Sequence, residues 1–128
     1  MRATICLTAV LALTASSTAL AAKAAPFEIK KTSWSYVDPD KKVKARETID
    51  ADGNYIENAV SGKHIDHGTA VMKDGKACFT SAMTKEGEVC WTTPKTALAV
   101  DHSFVTTSDK GEKLKVTRVA YTKLSMPK

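Results

Sequence analysis

The chain has 128 residues, 43% of them hydrophobic and 26% charged, with 19 Lys and Arg against 14 Asp and Glu. That length bounds it to one domain with one core. Lysines alternate with acids in VDPDKKVKARETIDADG and TSDKGEKLK, and past Arg2 the arginines are Arg46 and Arg118, a pattern of solvated surface that excludes a dedicated nucleic-acid face.

The first segment, MRATICLTAVLALTASSTALAAKAAPFEI, carries a cation at Arg2, an apolar run from Ala3 to about Leu13 and small residues with Ala-x-Ala steps. It reads as a signal peptide over residues 1–24, cleaved after Ala22 or Ala24, and places the protein in the periplasm or the medium. The run is too short and too broken by Thr and Ser to span a membrane. Cleavage after Ala24 removes Arg2, Lys23 and Cys6, lowers the formal charge from +5 to +3, and leaves residues 25–128 as a single β-barrel-like domain.

Turn signals then recur at short intervals: DPDKK, DADGN, SGK, KDGK, KEGE and SDKGE. Between them lie runs rich in Val, Ile, Thr and aromatic residues. Eight strands are predicted: 29–37, 43–49, 54–60, 65–72, 76–82, 87–92, 102–107 and 112–121. The fold class is all-β, an antiparallel up-and-down eight-stranded meander that closes wholly or partly into a small barrel. Hairpin-length connections join all neighbours but one. The exception is TPKTALAVD at 93–101, where Thr93 and Pro94 predict a single helical turn.

With Cys6 gone, Cys78 and Cys90 are left, and an exporting cell predicts one disulfide between them. Their spacing and strand-like setting differ from those of a redox pair. On alternating faces Phe79, Val89 and Trp91 point one way and Cys78, Thr80, Glu88 and Cys90 the other. Direct pairing of the cysteines sets Ser81 opposite Gly87, whereas Gly87 favours a tighter turn; a bulge near Gly87 is expected to absorb the mismatch.

In the last strand Leu114, Val116 and Ala120 share a face, and Arg118 breaks it. A guanidinium can lie on an aromatic ring with its stem in the core, and Trp34 on the first strand is the expected partner, because closure brings the first and last strands together. On these two residues the chain resembles the calycin group: lipocalins, fatty-acid-binding proteins, avidins and bacterial protease-inhibitor barrels. Thr32 stands where that group has the glycine of Gly-x-Trp. The layout GNYIENAVSGKHIDHGTAVMKDGKACF followed by CW also looks like that of small bacterial secreted proteins.

The segment GKHIDHG offers His64, Asp66 and His67 as metal-capable groups, with His102 more distant. Strict alternation puts His64 and Asp66 on one face and His67 on the other, so the preferred assignment is a solvated strand with no metal. No sequence signature of an activated nucleophile appears, so no catalytic residue, enzyme activity or cofactor is assigned. Trp34, Tyr36, Phe79, Trp91 and Phe104 are core or the walls of a small pocket, and an aromatic content of 6% favours a filled interior. The expected function is non-catalytic binding. A small apolar or amphipathic molecule would enter one barrel mouth, with Trp34, Phe79 and Trp91 as walls and Arg118 as base. The alternative, raised by the calycin resemblance, is a protein partner such as a periplasmic protease, met through APFEIKKTS or the 93–101 connection.

Overall fold

The structure is a computed structural model that describes Leu20 and residues 23–127. The expected leader, with Cys6, lies outside the described residues except for Leu20, Lys23 and Ala24, which take no regular structure. The described residues form eight strands and no helix: β1 (Thr32–Val37), β2 (Lys44–Ile49), β3 (Asn54–Ala59), β4 (His64–Lys73), β5 (Lys76–Ser81), β6 (Glu88–Thr92), β7 (Ser103–Thr107) and β8 (Lys113–Val119). Accordingly no described helix is long and apolar enough to cross a membrane.

All eight belong to one antiparallel sheet in the order β6-β5-β4-β3-β2-β1-β8-β7. The first and last strands pair as expected, with Trp34 opposite Arg118. The turns form where their chemistry demands: Asp74 and Gly75 both take positive φ, 49° and 72°, the geometry of a two-residue hairpin, and Lys73 pairs with Lys76 across it. The strand 29–37 starts late, at Thr32, because the chain turns through Lys30 and Lys31, and Lys31 has φ 56°.

The barrel is nearly closed. Its edges, β6 and β7, are the two strands separated by the long connection, and no ladder joins them. They meet through a single bridge, Trp91 to Ser108, and through local bonds. Asp109 N donates to Cys90 O at 2.9 Å, Thr106 Oγ1 to Thr92 O at 2.7 Å, and Thr107 N to Thr92 Oγ1 at 3.0 Å.

The helical turn expected at 93–101 does not form. That stretch runs extended across one end of the barrel and pairs with the N-terminal segment: Pro26 bridges Thr96 and Ala97 N donates to Ala25 O at 2.9 Å. Pairing with a distant segment satisfies backbone groups that Thr93 and Pro94 alone would have turned into a helix. At this end Phe27, Trp34 and Phe104 pack with ring centroids 5.9–6.2 Å apart. Ile29 and Ile49 are fully enclosed, at 2% and 0% exposure, and Trp34 is 5% exposed. On the outer face the C-terminal segment covers Ser33 and Thr48, which are bonded at 2.8 Å: Thr122 N donates to Ser33 Oγ, and Thr48 Oγ1 donates to Thr122 O.

Cys78 and Cys90 are bonded and sit directly opposite each other. Register is unbroken from Lys76–Thr92 to Thr80–Glu88, so the bulge expected near Gly87 is absent from this ladder. Gly87 instead takes φ 78° at the end of the connecting loop, which lets the turn accommodate the register that the bridge sets. The ladder is interrupted between β3 and β4, at Glu57/Asn58.

Closing a loop of twelve residues' separation restricts the unfolded chain by about 3 kcal/mol. Reduction of the bridge is therefore expected to lower stability by about that amount, measured by urea denaturation with and without reductant.

Candidate functional site

The apolar end just described forms the floor of a cavity of about 480 Å³, to whose lining Phe27, Ile29, Trp34 and Phe104 contribute and whose rim is formed by the 38–41 turn, the 83–87 loop and residues 110–112. The charged side chains lining it are seven acids and two lysines, Lys41 and Lys110, although the whole chain is basic.

The acids arise from strand alternation. On β2, Ala45, Glu47 and Ile49 share the inner face, and on β3 Tyr55, Glu57 and Ala59 do, all buried. Register sets Glu47 opposite Glu57 and Glu57 opposite Asp66 on β4, so three carboxylates lie side by side across three strands. Opposed like charges disfavour one another. Tyr36 Oη donates to Glu47 Oε2 at 3.2 Å. Tyr55 Oη and Ser81 Oγ donate to the two oxygens of Asp66, at 2.8 and 2.6 Å. Glu57 Oε1 is buried and has no hydrogen-bond partner.

Burial, with the neighbouring Glu57 charge adding to it, raises Glu47 to about 8. Burial also raises Glu57, to about 7. Loss of water, with Glu47 and Glu57 nearby, pushes the Tyr36 phenol well above its ordinary range. Burial and the bond to Asp66 do the same for Tyr55.

Across the barrel the wall is apolar. The strand order sets β2, β3 and β4 opposite β6, β7 and β8, whose contributions include Val89, Trp91, Phe104, Leu114 and Val116. Phe79 on β5 stands edge-on to Tyr55, centroids 5.4 Å apart. Of the residues singled out from sequence, Trp34, Tyr36, Phe79, Trp91 and Phe104 all line the cavity. Arg118 is at the closed end, where its Nη1 donates to the Leu98 carbonyl and its backbone bonds to Asp101 and His102.

The irregularity between β3 and β4 rearranges HIDH. Asn58 pairs with His64 and Glu57 with Asp66, leaving Ile65 as the extra residue. Ile65 and Asp66 both line the cavity, so the Asp66 carboxylate is turned away from both imidazole rings and meets His67 only at its backbone N, which donates to Asp66 Oδ1 at 2.8 Å. His64 and His67, expected on opposite faces, instead bond to each other at 3.0 Å, and His64 Nδ1 bonds to Asn58 Oδ1 at 2.8 Å. With Asn58 Oδ1 as acceptor, His64 carries its proton on Nδ1 and accepts at Nε2 from His67 Nδ1. His102 is at the other end of the barrel, beside the 93–101 connection. Among the described residues, the one grouping of three donor atoms within 4.8 Å of one another is Cys78, Glu88 and Cys90, and both of its sulfurs are spent in the disulfide.

Sequence reasoning missed Glu47, Glu57, Tyr55 and Phe27. The rule that singled out Arg118, a charge on an otherwise apolar strand face, would have found both glutamates. No protein-family model, curated protein or solved structure matches the chain.

An unfolded glutamate titrates near ~4.3, so between that pH and about 7 to 8 the folded state holds protons that the unfolded state has released. The stability contributed by these groups is complete below ~4.3 and is lost as pH rises through 7 to 8. Glu47→Gln is expected to flatten this decline and to melt at least about 4 °C above wild type at alkaline pH, a difference of roughly 1 kcal/mol, in calorimetric scans across the pH range.

Proposed function

We propose that the chain is a non-catalytic binding module that holds a small amphipathic molecule inside the barrel, working as an exported protein in the periplasm or the medium. The observation that carries this is the cavity of about 480 Å³, within the size range of small-molecule sites. It has an aromatic and aliphatic wall on one side and a few fixed polar groups on the other, the usual division between affinity and orientation.

Among the described residues, the one serine hydroxyl on the cavity wall supports binding rather than catalysis. Ser81 Oγ donates to Asp66 and accepts from Met83 N and Thr84 N at 3.0 and 3.1 Å. Its proton is held by Asp66 and its lone pairs accept from the rim loop, so the oxygen has no free lone pair to offer a substrate.

The alternative of a protein partner met through APFEIKKTS or the 93–101 connection needs free chain. Those segments are bonded to each other and anchored by Phe27 and Ile29, which weighs against it. Arg118 acts here as a fastener of the closed end rather than as a ligand contact.

A neutral apolar fluorophore, N-phenylnaphthylamine, is expected to bind with one-to-one stoichiometry and to quench Trp91, which lines the cavity. Val89→Trp, which fills the space beside it, is expected to weaken binding at least tenfold while leaving the circular dichroism spectrum unchanged. Absence of binding to wild type, together with native mass spectra showing only apoprotein after mild purification, would refute the reading.

A further inference from the structure

We propose that the cavity selects an organic cation, an ammonium group on an apolar body, with the ammonium seated against Glu57 between Glu47 and Asp66 and the apolar body against Phe79, Val89 and Trp91. The inference rests on the binding reading above and names the ligand's chemical class.

Three carboxylates in register, on adjacent strands and inside a barrel, form an arrangement that folding alone does not favour. Glu57 is 8% exposed, lines the cavity and leaves Oε1 with no hydrogen-bond partner. A buried acceptor without a donor is costly, and an ammonium supplies up to three donors together with the opposite charge. The two flanking acids are already oriented. Tyr36 holds Glu47, and Tyr55 and Ser81 hold Asp66, so an arriving cation meets a prearranged cradle and little ordering cost remains.

A bare metal ion fits less well. The three carboxylates do not form a donor set converging within 4.8 Å, whereas divalent ions take six or more oxygens at about 2.0–2.6 Å. An alkyl or aryl ammonium needs no such convergence. It also accounts for the opposite wall, where an aromatic face attracts cations and buries the ligand's carbon. The rim favours the same sign: its acids outnumber Lys41 and Lys110, and Lys110 is turned to Glu86 at 3.7 Å.

The test is displacement of N-phenylnaphthylamine from wild type by three matched ligands, octylammonium, octanol and octanoate, at a pH above the range in which Glu47 and Glu57 titrate. Octylammonium is expected to displace the probe at concentrations at least tenfold lower than octanol, with octanoate weakest. Glu57→Gln is expected to abolish the preference while leaving octanol within about twofold of its wild-type value. If octanol or octanoate displaces the probe as well as octylammonium does, the cation assignment falls and the binding reading stands. If the probe itself fails to bind, both fall. A preference that survives intact in Glu57→Gln overturns the seating at Glu57. The wild-type comparison decides the ligand class even if that variant does not fold, and Glu47→Gln then serves as the second variant.

Discussion

An eight-stranded sheet has two edges, and everything inside this protein depends on how those edges are brought together. The meander supplies a ladder between every pair of neighbouring strands except β6 and β7. There, closure rests on one bridge and a few bonds from Thr92, Thr106, Thr107 and Asp109. The disulfide lies next to this seam: it fixes β6 to β5 at Cys78 and Cys90, and Cys90 then offers its carbonyl to Asp109. A covalent link one strand away thus holds in place the edge that weak contacts must meet.

Closure buries the inner face of the sheet, and the loss of water around the inner acids gives them their properties. Glu47 and Glu57 would titrate as ordinary carboxyls on an open sheet. Packed against each other and cut off from water, they hold their protons to about 8 and about 7. The other end shows the opposite use of the same enclosure, with Phe27, Trp34 and Phe104 packed into an apolar plug and Arg118 fastening the crossing chain through Leu98. One end contributes stability, and the other gives up part of it to keep a polar cavity open.

The irregularity between β3 and β4 sorts the residues of HIDH. Asp66 faces inward by the regular register that sets it opposite Glu57, and the extra residue that follows turns Ile65 inward too and puts His64 on the outer side, where it meets His67. Strict alternation could not have placed a third acid in the row and two histidines in contact at once. Regular register therefore completes the carboxylate row, and a local departure from the period of two takes apart the metal-like HIDH motif.

Much of this was legible in the residues. Turn chemistry at Asp74–Gly75 and the period-two pattern gave the eight strands, and two cysteines remaining after the expected leader gave one pairing, because these signals are local or combinatorial. The aromatic set was found too, while its modest size suggested a filled interior. Only the tertiary structure decided that part of that interior is open and acidic, that 93–101 pairs with the N-terminal segment, and that Glu47, Glu57 and Asp66 stand in one row. Alternation tells which face a side chain takes, but which side chains become neighbours depends on register, on a bulge and on barrel closure, and those follow from the joint packing of strands far apart in the chain.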